Sequence, residues 1–239
     1  ITKEVADRLQ DIFKNDRPQF EKKWDDLKLF ITYGMISEEK FYEPAAKFAL
    51  LKNTEGKYFT FEEYEKLIGE NQKDKNKTLV YLYTTDTEAQ FSFIETARNR
   101  GYDVLIMDGY LDMHFINQME SKLKDSHFVR VDSDVIDKLI QKEESREAKL
   151  TGDQQNELKP VFQSQLPESR GNYTVTFENL AETDQPVLIT QMEFMRRMKD
   201  MSQLGGPMSF YGELPNQYNV VINANHPLVN RIHEEKEKK

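Results

Sequence analysis

Three aspartates carry the first chemical possibility. Asp86, Asp108 and Asp132 each follow a β-rich or aliphatic run, TLVYLYT, VLIM and HFVRV. Open parallel sheets bind ligands beyond the carboxyl ends of their strands, so three carboxylates there could hold Mg²⁺ for phosphoryl transfer. Aspartates after strands also start turns and cap helices. That second reading is the stronger, because neither GxGxxG nor GxxxxGK[ST] occurs to cradle a phosphate. No Ser/His/Asp or Cys/His set has a recognisable local signature. Zero cysteines leave no disulfide and no thiolate metal site, which fits a reducing compartment. The four histidines, His114, His127, His226 and His233, lack metal-ligand spacing.

A second, softer chemistry lies in residues 186–215, PVLITQMEFMRRMKDMSQLGGPMSFYGELP. Five of the nine methionines are here: Met192, Met195, Met198, Met201 and Met208. On a helix, Phe194, Met195, Met198, Met201 and Leu204 share one face, and Glu193, Arg196, Lys199, Asp200 and Gln203 fall largely on the other. Gly205, Gly206 and Pro207 end the helix. Methionine is flexible and polarizable, so a stripe of it repacks against many apolar shapes and suits a surface that grips unrelated partners. The same pattern suits a stripe packed on a sheet as ordinary core, which is the commoner case. Leu or Ile would specify such a core better than methionine, and this keeps the gripping surface in play.

The elements that must position these residues come from 239 residues, enough for one large or two small domains. Ile1 at the start and EEKEKK at the end read as cuts, so the sequence reads as a piece of a longer chain. With 38% hydrophobic and 31% charged residues, it can build cores surrounded by solvated helices. A net charge of −9, with no block of Lys and Arg interleaved with aromatics, argues against nucleic acid as a partner. No apolar run approaches a membrane span, and no secretory leader stands in this piece.

Helical spacing dominates residues 1–55: Ile1, Val5, Leu9 and Ile12, then Phe20, Trp24, Leu27 and Ile31 after Pro18, with Gly34 as a stop. A third helical segment runs from Tyr42 to Leu51. Short links make these antiparallel neighbours in a helical subdomain. Thr60 and Glu63 form a capping box, with Phe59 and Tyr64 as its staple, opening a helix to Ile68. Residues 78–140 then alternate strand and helix: strands at Thr78–Thr84, Val104–Met107 and His127–Val131, and helices at Asp86–Arg100 (capped by Thr85 with Glu88), Asp112–Leu123 and from Val135. Strands alternating with helices imply a small parallel sheet. The charged run 141–149, QKEESREAK, reads as a linker. Beyond it, Thr151 and Gln154 box a helix carrying Leu158, Val161, Phe162 and Leu166 inward, kinked or restarted at Pro160, before a turn over 167–171. Strands at Tyr173–Phe177, Val187–Thr190 and Tyr218–Ile222 surround the methionine helix, and Asn225-His226-Pro227 opens a last helix. The fold class is therefore α+β with α/β character: a helical subdomain, a small three-stranded parallel α/β sandwich, and a separate small α+β domain.

Several motifs resemble the heat-shock protein 90 chaperone family, its bacterial members most closely. ITKEVADRLQDIFKNDRPQFEKKWDDL looks like the family's long helix and the helix after it, with Asp16, Phe20 and Trp24 in register. GYDVLIMDGYLDMHFINQM resembles a family segment through Gly101, Val104, Leu105 and Asp112. TDQPVLIT matches through Asp184 and Pro186, and NANHPLVNRI through Asn223, His226, Pro227 and Leu228. The match covers essentially the whole chain, and the order and spacing of the motifs make it specific.

The resemblance implies that residues 1–140 end a middle domain, with 1–70 helical and 78–140 its small α/β part. Residues 150–239 would begin a C-terminal domain without its dimerisation helices. It implies a client-binding helix onto which Phe194, Met195, Met198, Met201 and Leu204 map, and a middle-domain client contact at Met113 and His114, where the family's Glu-Trp is Met-His. ATP and Mg²⁺ would belong to an N-terminal domain preceding Ile1, so the piece itself would need no cofactor and hydrolyse no ATP. The parent would be a cytoplasmic homodimer; this piece would be monomeric or weakly associated. Its partners would be unfolded or partly folded clients, with co-chaperones of the parent, and neither nucleic acid nor membrane. Against this binding module stand the Mg²⁺ enzyme at Asp86, Asp108 and Asp132 and a structural scaffold with the methionines as core.

Overall fold

A computed structural model describes residues 2–167, 171–203 and 205–238. The chain divides into two compact units, Ile1–Val131 and Asp132–Lys239. It mixes helix and sheet, with a three-stranded parallel sheet in the first unit and a separate small sheet in the second. The division falls after Val131, so the segment 141–149 lies inside the second unit.

The first unit opens with four helices: α1 (Thr2–Asn15), α2 (Arg17–Lys22), α3 (Trp24–Ser37) and α4 (Glu39–Ala45). Asp16 starts α2 by accepting the Gln19 N–H at 3.2 Å, with Pro18 in the first turn, where a missing N–H is harmless. Phe20 and Trp24 are buried, and the Phe20 ring meets Phe48 edge-on at 6.2 Å. Gly34 does not stop α3, which runs on to Ser37. A Cβ at Gly34 would sit 2.9 Å from the Phe41 ring, so the glycine lets α4 approach α3 closely. The expected helix Tyr42–Leu51 is a second correction. α4 ends at Ala45, just after Pro44, and Leu51 starts a strand. Ala49 and Leu50 are buried all the same, from irregular chain after a turn over 46–48 and not from a helix.

A two-residue hairpin follows, β1 (Leu51–Lys52) with β2 (Tyr58–Phe59), then α5 (Phe61–Ile68). Thr60 caps α5 by accepting the Glu63 N–H at 3.3 Å, and the Phe59 and Tyr64 rings staple it at 5.6 Å. Glu63 does not complete the box; its carboxylate takes the Arg17 guanidinium at 2.6 and 2.9 Å. The parallel sheet is β3 (Leu79–Thr84), β4 (Val104–Ile106) and β5 (Ser126–Arg130), in the order β4-β3-β5. Central β3 is buried throughout, which is why it reads as a continuous apolar run and not an alternation. Crossovers run through α6 (Phe91–Asn99) and α7 (Asp112–Lys122). α6 begins five residues later than its spacing suggests. Asp86 closes a turn by accepting the Glu88 and Ala89 N–H groups, and Gln90 is held by the Thr84 hydroxyl. The Thr85–Glu88 box does not form there.

In the second unit, α8 (Ile136–Leu139) is one short turn, and residues 141–148 are exposed without regular structure. α9 (Gly152–Gln163) opens with the reciprocal Thr151–Gln154 box. It passes Pro160 without a break. Leu158 points inward, whereas Val161 is exposed. The turn expected over 167–171 lies mostly outside the described residues. The sheet is β6 (Asn172–Glu178), β7 (Val187–Thr190) and β8 (Gln217–Asn223), with β8 central, parallel to β6 and antiparallel to β7. Between β7 and β8 come α10 (Glu193–Ser202), a 3-10 turn (Gly206–Met208) and α11 (Phe210–Glu213); α12 (Pro227–Glu237) closes the chain. The core joins Val175, Val220 and Ile222 of the sheet to Leu158 of α9 and Val229 of α12.

Candidate functional site

The methionine stripe lies on α10, held from its polar side. Glu193 meets Arg197 at 2.9 Å and Arg196 meets Asp200 at 3.6 Å, both one helical turn apart. The Arg196 guanidinium also donates to Gln191 at 2.7 Å, and the Lys199 ammonium donates to the Asn216 side-chain oxygen. α10 packs against the 3-10 turn and α11. Gly205 and Gly206 make the reversal at φ +78° and +81°, which L side chains rarely adopt. A Cβ on Gly212 would lie 2.9 Å from the Ser202 hydroxyl, so α10 and α11 approach at glycine distance.

No residue of α10 is buried. Phe194 is 59% exposed and the neighbouring Met192 56%, while Met195, Met198 and Met201 are partly buried. A cavity of about 20 Å³ remains between Met192 and Met195 and the segment Pro215–Gln217. The helix is amphipathic, and its methionine face is neither fully enclosed nor fully open. Leu204, placed on the same face by its spacing, lies outside the described residues.

Further exposed apolar groups stand on β7 and α11, which the spacing of methionines does not reveal. Val187 pairs with Ile222 and Ile189 with Val220, so both point to the side of the sheet that carries the core. β7 is one of the two edge strands, and there Ile189 stays 50% exposed. Phe210 on α11 is 54% exposed, its ring 4.2 Å from that of Tyr211.

The middle-domain pair behaves differently. Met113 is buried, its sulfur accepting the Tyr83 hydroxyl at 3.7 Å, so its side chain is not presented to a partner. His114 is partly buried, with Nε2 enclosed and lacking a hydrogen-bond partner among the described residues. The three aspartates have separate tasks. Asp86 caps a turn, Asp108 stands at the mouth of a cavity beside β4, and the Asp132 carbonyl accepts the Gln191 N–H at 3.2 Å. Among the described residues, no group of three or more His, Asp or Glu side chains is placed to hold a metal ion.

Sequence motifs 181–186 and 223–228 serve the fold. Asn223 donates to the Ala181 carbonyl at 2.8 Å, and Asn225 donates to the carbonyls of Glu147 and Leu180 at 3.0 and 3.2 Å. His226 caps α12, its Nδ1 accepting the Leu228 N–H at 3.1 Å. Among the described residues, no helix is long and apolar enough to cross a membrane.

Comparison with known proteins supplies the rest. The sequence model of the family described as "Hsp90 protein" matches residues 1–239. The chain is 52% identical over 239 residues to a chaperone protein HtpG of Bacteroides fragilis, covering all of this chain and 35% of that protein. It is 52% identical over 233 residues to the HtpG of Porphyromonas gingivalis, covering 97% of this chain and 34% of that protein. A more distant HtpG, of Treponema denticola, is 23% identical over 246 residues, covering 99% of this chain and 37% of the relative. The chain thus spans about a third of the length of these relatives.

Proposed function

This chain belongs to the Hsp90 chaperone family, and from that premise we propose that its second unit holds exposed apolar segments of unfolded or partly folded client proteins on the face of α10. The observation that carries this reading is an amphipathic helix with no buried residue, presenting Phe194, Met195, Met198 and Met201, with Met192 beside them. Flexible thioethers tolerate varied client side chains, and each contact contributes about 1 kcal/mol or less. Binding is weak and reversible, as a chaperone must release what it holds. His114 extends the reading to the first unit; Met113, being buried, takes part only if α7 opens. The first unit acts as the end of a middle domain and the second as the start of a C-terminal domain. In the full-length protein, ATP with Mg²⁺ drives the cycle from outside these residues, dimerisation doubles the surface, and co-chaperones time client release in the cytoplasm.

The test is the double substitution Met198→Ser with Met201→Ser. Affinity for an unfolded model client should fall about tenfold, while far-UV circular dichroism stays unchanged, since two weak apolar contacts are removed from a surface. Methyl spectra of the nine methionines should show selective client-induced shifts at Met195, Met198 and Met201. Unchanged affinity with no such shifts would remove α10 from the function.

A further inference from the structure

The first unit contains a cavity of about 390 Å³ between α3 and the segment from β4 into α7. This lies at the lower end of the size range of ligand pockets, about 300–1,000 Å³. Its walls are apolar: Trp24, Met35, Leu50, Leu51 and Phe115. Two buried polar side chains, Thr32 and Asp112, also line it. Asp112 is almost fully buried, its carboxylate 2.7 Å from the Lys28 ammonium and 2.9 Å from the Gly109 N–H.

The charges at the mouth are unequally committed. Lys28 is taken by Asp112, and Lys52 by Asp25 at 3.4 Å and by the Tyr58 ring at 5.4 Å. Asp108 is exposed and, among the described residues, has no ion pair. Tyr110, two residues on, is 79% exposed, and Leu29 on the opposite rim is 53% exposed. The entrance therefore offers one uncommitted carboxylate next to an open aromatic face. That combination attracts a guanidinium or ammonium, which can pair with a carboxylate and lie over a ring. α3 carries the apolar surface onward through Phe30 and Tyr33, 75% and 63% exposed.

We propose that this cavity is a second peptide-binding site, separate from α10, which takes an aromatic side chain of an extended segment with an arginine or lysine beside it. The aromatic ring enters the apolar walls, and the basic neighbour meets Asp108 and Tyr110 at the mouth. The proposal rests on reading the chain as a binder of non-native segments, and it does not depend on α10.

Trp24 is the only tryptophan and lines the cavity, so its emission reports occupancy. The probe is an acetylated, amidated hexapeptide, Ser-Gly-Phe-Arg-Gly-Ser, titrated into the 239-residue chain. A saturable change in emission is expected. Replacing Phe by Ala in the peptide should abolish it, and replacing Arg by Glu should weaken it. Asp108→Asn should weaken the Phe-Arg peptide about threefold to fivefold, the range of an exposed ion pair, and remove most of the preference over Phe-Glu. Leu29→Asp, an exposed change, should abolish the response with the fold intact. Met198→Ser with Met201→Ser should leave the response untouched, even if client binding by α10 fails its own test. Three results would overturn the proposal: no saturable change with the Phe-Arg peptide, a change indifferent to both Asp108→Asn and Leu29→Asp, or emission that shifts with protein concentration alone, which would make a second copy the occupant.

Discussion

Arg17 and Glu63 lie 46 residues apart in sequence, yet their side chains meet in a two-pronged contact. The Arg17 hydrogen bond is the main reason the Glu63 carboxyl is held below its ordinary value. The folded chain therefore releases this proton more readily than the unfolded chain. The resulting stability is fully present above the unfolded value of about 4.3 and is lost as pH falls through the lower, folded value. The side chains are 33% and 40% exposed, so solvent limits the contribution to less than about 1 kcal/mol. Urea unfolding at pH 5 and at pH 3 should show Glu63→Gln costing stability at the higher pH and almost nothing at the lower. This partnership was invisible in sequence, where Glu63 reads as the second half of a capping box. The competing guanidinium arrives from a distant helix. Asn225 shows the converse case. Its motif was legible, but its work, holding Glu147 and Leu180 by their carbonyls, appears only in three dimensions.

Elements followed their periodicities wherever burial is one-sided or complete. β3, β4 and β5 stand where the apolar runs lie, β6 where strict alternation does, and β7 and β8 at the short apolar runs VLIT and VVI. The departures have separate causes. α3 continues through Gly34, and Phe41 of α4 fills the space that a side chain there would need. α6 starts late because Asp86 and Gln90 are engaged with the turn after β3. Two-residue strands such as β1 and β2 are too short for any period to register. Gly34→Ala measures the first effect. Alanine favours a helix over glycine by about 1 kcal/mol, whereas forcing a methyl against a buried ring costs about 1–3 kcal/mol. A net destabilisation of about 1 kcal/mol is expected, read as a lower urea midpoint with an unchanged slope. The client-binding candidate was legible to the same degree. The methionine face of α10 follows from spacing, whereas the mouth of the cavity joins α3 to the start of α7, across more than 70 residues that no local pattern connects.

At the scale of the whole molecule, the two units carry their own cores. Leu158 is fully enclosed in that of the second. Leu158→Ala should cost about 2–5 kcal/mol there. Calorimetry should then resolve an earlier transition for the second unit, while Trp24 emission reports the first unit still folded at that temperature. The exposed aliphatic and aromatic groups of β7, α10 and α11 also bear on how many copies can share a solution. Val187 and Ile189 sit on an edge strand whose free side has no ladder partner among the described residues. Such an edge is a template for strand pairing with another copy. The surplus of nine negative charges opposes such pairing, with a repulsion that reaches only about 8–10 Å at ordinary ionic strength. If α10 holds clients as proposed, that charge is what opposes contact between copies across the same apolar groups, and raising the salt concentration should bring turbidity before it brings unfolding.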